Sequence, residues 1–181
     1  MILDWPATGI VLSELSRDPR GADEASLAST LSSAFFVRFT GVLKERLPPM
    51  ATPAMFVGPA GDNEITGESL ILVHPIARRP GTEHHPFVSV GRTDKNDICI
   101  GDEGVSKFHA YVKVVDTTFL LQDARSRNGT TIDGVAVAGR GLGDPLQLRT
   151  GQSIRFGGVD AVFLDAAALH ELIGRISNRP R

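Results

Sequence analysis

The chain has one cysteine, Cys99, in 181 residues. No disulfide can form within it, so the fold must rest on a packed core rather than on covalent staples. Cys99 stands in the apolar run Ile98-Cys99-Ile100, where a small buried side chain is expected and not a reactive thiol. Long apolar runs are missing as well: none approaches the ~18 residues that a membrane span needs. The opening residues, Met-Ile-Leu-Asp-Trp-Pro, have no basic stretch ahead of an apolar one. No signal peptide is expected, and a cytoplasmic location follows. There is no excess of charge either: 19 Lys and Arg stand against 21 Asp and Glu, for a formal net charge of −2. The chain as a whole lacks the electrostatic footprint of a protein that binds nucleic acid or an anionic membrane, although a local basic pocket is compatible with that balance. Internal repeats and low-complexity tracts are absent too. What is present is an ordinary globular composition, 41% apolar and 22% charged. The length suits one domain, or one small domain with an extension.

Residues 1–67 read as an N-terminal extension. An irregular leader gives way to Leu27, Leu31, Phe35, Phe39, Val42, Leu43 and Leu47, whose spacing of three and four predicts an amphipathic helix over about 23–47. Asp23 suits its N-cap and Pro48-Pro49 its end. A Pro- and Gly-rich arm follows, broken by one short strand candidate at Ala54–Val57. From about residue 68 to 165 the character changes. Short β-rich runs alternate with turn signals, and Asp133-Gly134 marks a two-residue hairpin. No helical pattern interrupts the series. The fold class expected is mainly β, a sandwich of two antiparallel-rich sheets. Residues 166–181 read as a short C-terminal helix and tail, with Leu169, Leu172, Ile173 and Ile176 on one face.

The chemistry collects at strand ends. Gly91-Arg92 follows one strand. Ser106-Lys107-Phe108-His109 lies between two others. Ser126-Arg127-Asn128-Gly129-Thr130 precedes the hairpin. Loops at one end of a sandwich converge, so Arg92, Ser106, Lys107, Arg127 and Asn128 are expected at one edge. Arg92 offers a planar fork that matches phosphate oxygens. Ser106 adds a hydroxyl donor, and Lys107 and Arg127 add charge. Asn128 both donates and accepts, which suits a peptide backbone. The set contains no strong nucleophile or proton shuttle, so it reads phosphate rather than cleaving it.

In order and spacing these segments, with Asn96-Asp97-Ile98, Leu121-Gln122-Asp123 and Leu148-Arg149-Thr150-Gly151-Gln152-Ser153-Ile154-Arg155-Phe156-Gly157, resemble a forkhead-associated (FHA) domain of bacterial type. The resemblance implies that Arg92, Ser106 and Lys107 contact phosphate and that Asn128 holds the bound peptide's main chain. Gly91, His109 and Gly129 are then structural members that hold the loops. Arg127 departs from the pattern, since that position often carries a small hydroxyl residue. Gln152 departs in the last turn, where an acidic residue is more usual. The function implied is a phosphothreonine-peptide adaptor in Ser/Thr kinase signalling, with a kinase substrate or the kinase itself as partner and with no cofactor.

The sequence is open to four other readings. A phosphate-independent interaction module would use the same fold with another face. A Ser106/His109/Asp123 hydrolase would need a base in contact with its nucleophile, and no Gly-x-Ser-x-Gly elbow is present; no enzymatic activity is expected. His84-His85 reads as surface loop, because adjacent residues do not chelate one metal in the i,i+4 manner. Asp94, Asn96 and Asp97 lack the glycine and glutamate of a calcium loop. No metal is expected.

Overall fold

The computed structural model describes residues 6–18, 23–40, 43–44, 64–65, 70–80 and 85–177. Strand β1 (Ile10–Val11) leads into the short helix α1 (Leu12–Leu15), then α2 (Glu24–Thr30) and β2 (Ala34–Thr40). A two-stranded piece, β3 (Leu43–Lys44) with β4 (Glu64–Ile65), precedes β5 (Leu70–Pro75). The remaining strands are β6 (Val88–Gly91), β7 (Ile98–Cys99), β8 (Ala110–Val115), β9 (Thr118–Asp123), β10 (Thr130–Ile132), β11 (Val135–Ala136), β12 (Leu146–Gln147), β13 (Ser153–Phe156) and β14 (Val159–Asp165). Helix α3 (Ala166–Ser177) closes the described chain. Among the described residues no helix is long and apolar enough to cross a membrane.

The strands form the expected sandwich. One sheet runs β1-β5-β2-β14-β13-β10-β11 and the other β12-β9-β8-β6-β7. All pairings are antiparallel except β6 with β7. Between the sheets lies a core of Phe36, Val90, Val112, Leu121, Ile154 and Phe156, with neighbours of the same kind. Phe36 meets Phe156 edge-on, ring centroids 5.3 Å apart. The hairpin between β10 and β11 turns through Asp133 and Gly134, both at positive φ (50° and 81°), the geometry a two-residue connection requires.

The helix expected over 23–47 is corrected. Asp23 does cap a helix, its carboxylate accepting from Ser26 N at 2.7 Å, but that helix ends at Thr30. Ser32 then turns the chain. Its hydroxyl donates to Ile76 O and accepts from Ala34 N. Residues 34–40 are a strand, inserted between β5 and β14. The division expected at residue 68 therefore cuts through a sheet. The physical reason is that a spacing of four fits both periods. Leu31, Phe35 and Phe39 share a face in a helix, but Phe35 and Phe39 also share one in a strand. What separates the two is Ala34-Phe35-Phe36-Val37, apolar on consecutive positions and rich in β-formers, as in a strand buried on both sides. Ala34 and Phe36 face the sandwich core. Phe35 and Val37 face a second core, where Leu15, Leu27, Leu169 and Ile173 of the three helices, with Leu31 just past the end of α2, cover the sheet. The strand candidate at Ala54–Val57 lies outside the described residues.

His74 sits opposite Phe36 in this sheet and is buried to 1% exposure. Among the described residues neither ring nitrogen makes a hydrogen bond of full geometry, the Ala7 backbone offering only a weak one, and Gly9 packs against the ring so closely that a Cβ there would lie 2.8 Å from Cε1. Burial, reinforced by the Arg38 charge and only partly opposed by the Ala7 backbone, drives the pKa of His74 down to about 3. In the unfolded chain it titrates near 6.5. Above that pH both states are neutral and stability is complete. As pH falls, the unfolded state takes up a proton that the folded state refuses, so stability is lost from about 6.5 down to the folded pKa. The expected loss from this residue at pH 5 is about 2 kcal/mol. Urea melts of the wild type and His74→Met between pH 7.5 and 5 test it: the variant should show the shallower decline. Parallel declines would acquit His74.

Candidate functional site

Strand β6 ends at Gly91, and the chain turns through 92–97 into β7. The segment 100–109 then leads to β8, and residues 124–129 join β9 to β10. These three connections meet at one end of the sandwich. Arg92 N donates to Ser106 O at 2.9 Å. Arg127 N donates to Ser106 Oγ at 3.0 Å. Asn128 Nδ2 donates to Gly104 O at 2.8 Å. The structure thus brings the three predicted clusters together around Ser106. Arg92 and Ser106 are half-buried, whereas Lys107, Arg127 and Asn128 are exposed.

The scaffold beneath is hydrogen-bonded throughout. His109 is fully buried. Its Nδ1 accepts from Ser106 N at 3.0 Å, so the ring hydrogen resides on Nε2, which reaches Gly129 O at 3.0 Å. Burial lowers the His109 pKa, the Gly129 carbonyl opposing that shift, so the ring stays neutral and its tautomer fixed. Gly129 itself has a φ of 76°. Asp123 accepts from Ser126 N, Ser126 Oγ and Thr130 Oγ1 within 2.8 Å. The triad reading fails on this geometry. Both nitrogens of His109 are engaged with backbone, so none faces Ser106 Oγ, and the Asp123 carboxylate is bonded to Ser126 and Thr130.

Gly91 shows why no larger residue fits there: a Cβ would lie 2.3 Å from Lys107 O. Asn96, whose role sequence reasoning missed, explains that carbonyl's position. Its side-chain amide donates to Lys107 O at 2.7 Å and to Thr93 O at 2.9 Å, bracing the 92–97 turn against the Ser106 loop. The available signal was an Asn in a turn, where such side chains bond to nearby backbone. Asp97 does comparable work below, accepting from Ser89 N and Oγ and from Arg79 N. The Cys99 thiol lies 3.2 Å from Arg92 O as a donor, and burial raises its pKa. Gln152 ties its own turn, accepting from Arg149 N and donating to Asp133. Among the described residues no group of three or more His, Cys, Asp or Glu gathers as a metal ion would require.

Residues 88–157 match the family model of the FHA domain. The chain carries an FHA domain. Among solved structures it is similar to Mycobacterium tuberculosis EmbR in complex with a low-affinity phosphopeptide, at 18% identity over 77% of this chain and 26% of that one, TM-score 0.45. It is also similar to the FhaA FHA domain complexed with the intracellular domain of Rv3910, at 28% identity over 44% and 81%, TM-score 0.38. A third is the kinase-interacting FHA domain of the kinase-associated protein phosphatase KAPP in Arabidopsis, at 21% identity over 73% and 93%, TM-score 0.45. The chain spans about a quarter of the EmbR length. A search of curated proteins finds no match. The FHA span begins at β6, yet β2, β5 and β14 complete the same sandwich from outside it.

Proposed function

We propose that the chain is a phosphothreonine-peptide adaptor in Ser/Thr kinase signalling, and that its partner is a kinase substrate or the kinase itself. The observation that carries this reading is the bond from Arg127 N to Ser106 Oγ. It uses the hydroxyl as an acceptor and leaves its hydrogen to donate, while Arg92, Lys107 and Arg127 supply positive charge around it. Among the described residues none of those three is paired with a carboxylate. A phosphate group has the complementary charge and acceptors. Asn128, on the neighbouring loop, is exposed and suited to a peptide main chain. Domains of this family are readers of phosphorylated motifs.

Titration of a phosphothreonine peptide library against its unphosphorylated copy tests the proposal. Arg92→Ala and Ser106→Ala should each weaken the selected phosphopeptide roughly ten- to a hundredfold, the loss of one charge-assisted hydrogen bond. Thermal melts control for folding. Equal binding of phosphorylated and unphosphorylated peptides would replace this reading with a phosphate-independent interaction module.

A further inference from the structure

The turn that carries Arg92 is braced by two side chains. One is Asn96, which ties it to Lys107 O. The other is Arg79, which lies between β5 and β6, ahead of the span 88–157 that matches the FHA domain. Arg79 Nη1 donates to Asn96 O at 3.1 Å and to Asp94 O at 3.3 Å. Its backbone N–H donates to Asp97 Oδ1 at 2.8 Å. The other oxygen of that carboxylate accepts from Ser89 N and Ser89 Oγ, both at 2.7 Å, so Asp97 fastens the Arg79 backbone to β6. Arg79 is half-buried, whereas Asn96 and Asp97 are buried.

One nitrogen thus holds two carbonyls of one turn, and a backbone bond fixes the point it reaches from. The turn closes on itself through Asn96 N to Thr93 O at 3.1 Å. A single closure of that kind leaves a connection free to swing about its ends. A guanidinium anchored outside the turn removes that freedom, because its donors are held in a rigid plane. The position of a long side chain such as Arg92 follows from the backbone that bears it, and a binding group is only as well placed as its supports. The substitution Arg79→Met would take away the two side-chain bonds and leave the bond to Asp97, which belongs to the backbone. Arg78, the neighbouring residue, supplies the contrast: its Nη1 donates to His85 O at 3.0 Å.

We propose that Arg79 is a positioning residue for phosphate binding: it holds the 92–97 turn so that Arg92 meets the phosphate without reordering. The inference rests on the phosphothreonine reading above. The test is a fluorescence-anisotropy titration of a phosphothreonine peptide chosen from the library, with thermal melts of each variant. Arg79→Met should weaken binding roughly three- to tenfold while the melting temperature moves little. Arg79→Lys keeps the charge and has three donors on one nitrogen, enough for both carbonyls, so it should bind within about twofold of the wild type. Arg78→Met removes an equal charge from the adjacent residue and should also stay within about twofold. In an Arg92→Ala background Arg79→Met should cost little further, since the group it positions is gone. Amide exchange at Asn96 should quicken in Arg79→Met, while exchange in β2 and β8 should not change. Equal losses in Arg78→Met and Arg79→Met would make the effect one of charge. A full loss repeated in the Arg92→Ala background would show that Arg79 acts elsewhere, and a collapsed melting temperature that it serves the fold. Each of these results, or unchanged affinity in Arg79→Met, overturns the proposal and leaves the phosphothreonine reading intact. Failure of the phosphorylated peptide to outbind its unphosphorylated copy removes that reading, and this one with it.

Discussion

A chain beginning at residue 67 will not fold. The cut removes β2, and with it Phe35, Phe36 and Val37, none of them more than 1% exposed. Burial of each such side chain contributes ~1.5–3 kcal/mol, so the three together approach the 5–15 kcal/mol that holds an ordinary domain together. The loss does not stop there. Strands β5 and β14 each lose their partner, and with the partner a ladder of backbone hydrogen bonds in the middle of a sheet. Leu12, Leu15, Leu27 and Leu31 leave as well, exposing the outer face of the same sheet beneath α3. A docked helix would have predicted something milder, a lowered melting point. Circular dichroism and proton NMR of the 67–181 fragment decide between the two. Loss of cooperative melting, or aggregation, is expected. A dispersed spectrum with a cooperative melt near that of the full chain would mean that β2 is dispensable and its place in the sheet incidental. Phe36→Ala in the full chain gives a graded version of the same test, with ~3–5 kcal/mol lost.

This strand also marks the limit of what the sequence discloses. From β5 onward the runs are short and rich in β-formers, turn residues punctuate them, and β10 and β13 alternate between buried and less buried positions. Asp133-Gly134 announces its hairpin because few residue pairs accept two positive φ angles. β2 has no alternation to detect, since helices cover one face of its sheet and the opposite sheet covers the other. Nothing local tells a doubly covered strand from a buried helix except the concentration of Phe and Val. β1, two residues long, offers less still. At the site, the side chains that face outward were legible because each has a chemistry of its own: a guanidinium, a hydroxyl, an amide. The bracing was not legible. Asn96 bonding to Lys107 O and Asn128 bonding to Gly104 O are contacts to backbone carbonyls on other loops, and a carbonyl leaves no mark in the sequence.

Gly91→Ala is expected to damage fold and binding together, through one added methyl group. At Gly91 a Cβ would stand 2.3 Å from Lys107 O, 2.9 Å from Lys107 C and 2.7 Å from Asn96 Nδ2. Two of the three are backbone atoms, so no rotamer change relieves the clash. Lys107 O is moreover the acceptor for Asn96, and moving it strains that bond as well. In its favour the substitution restricts the unfolded chain, a gain of ~0.4–1 kcal/mol. Against it stands overpacking at a site with no slack, ~1–3 kcal/mol or more. The second effect wins, and a net loss of about 2 kcal/mol is expected. The displacement falls on the segment that carries Ser106. Its three anchors are Arg92 N to Ser106 O, Ser106 N to His109 Nδ1, and Arg127 N to Ser106 Oγ, all at or below 3.0 Å. A hydrogen bond to phosphate weakens steeply when its donor moves by a few tenths of an ångström. Phosphopeptide affinity should therefore fall at least about tenfold in Gly91→Ala even at temperatures where the variant is fully folded. Gly101→Ala is the control: it lies on the same connection, but a Cβ there meets nothing within 4 Å. Calorimetric titration and thermal melts of the two variants make the comparison. If Gly91→Ala matched Gly101→Ala in both measurements, the close approach of β6 to the Ser106 loop would not be what positions the site.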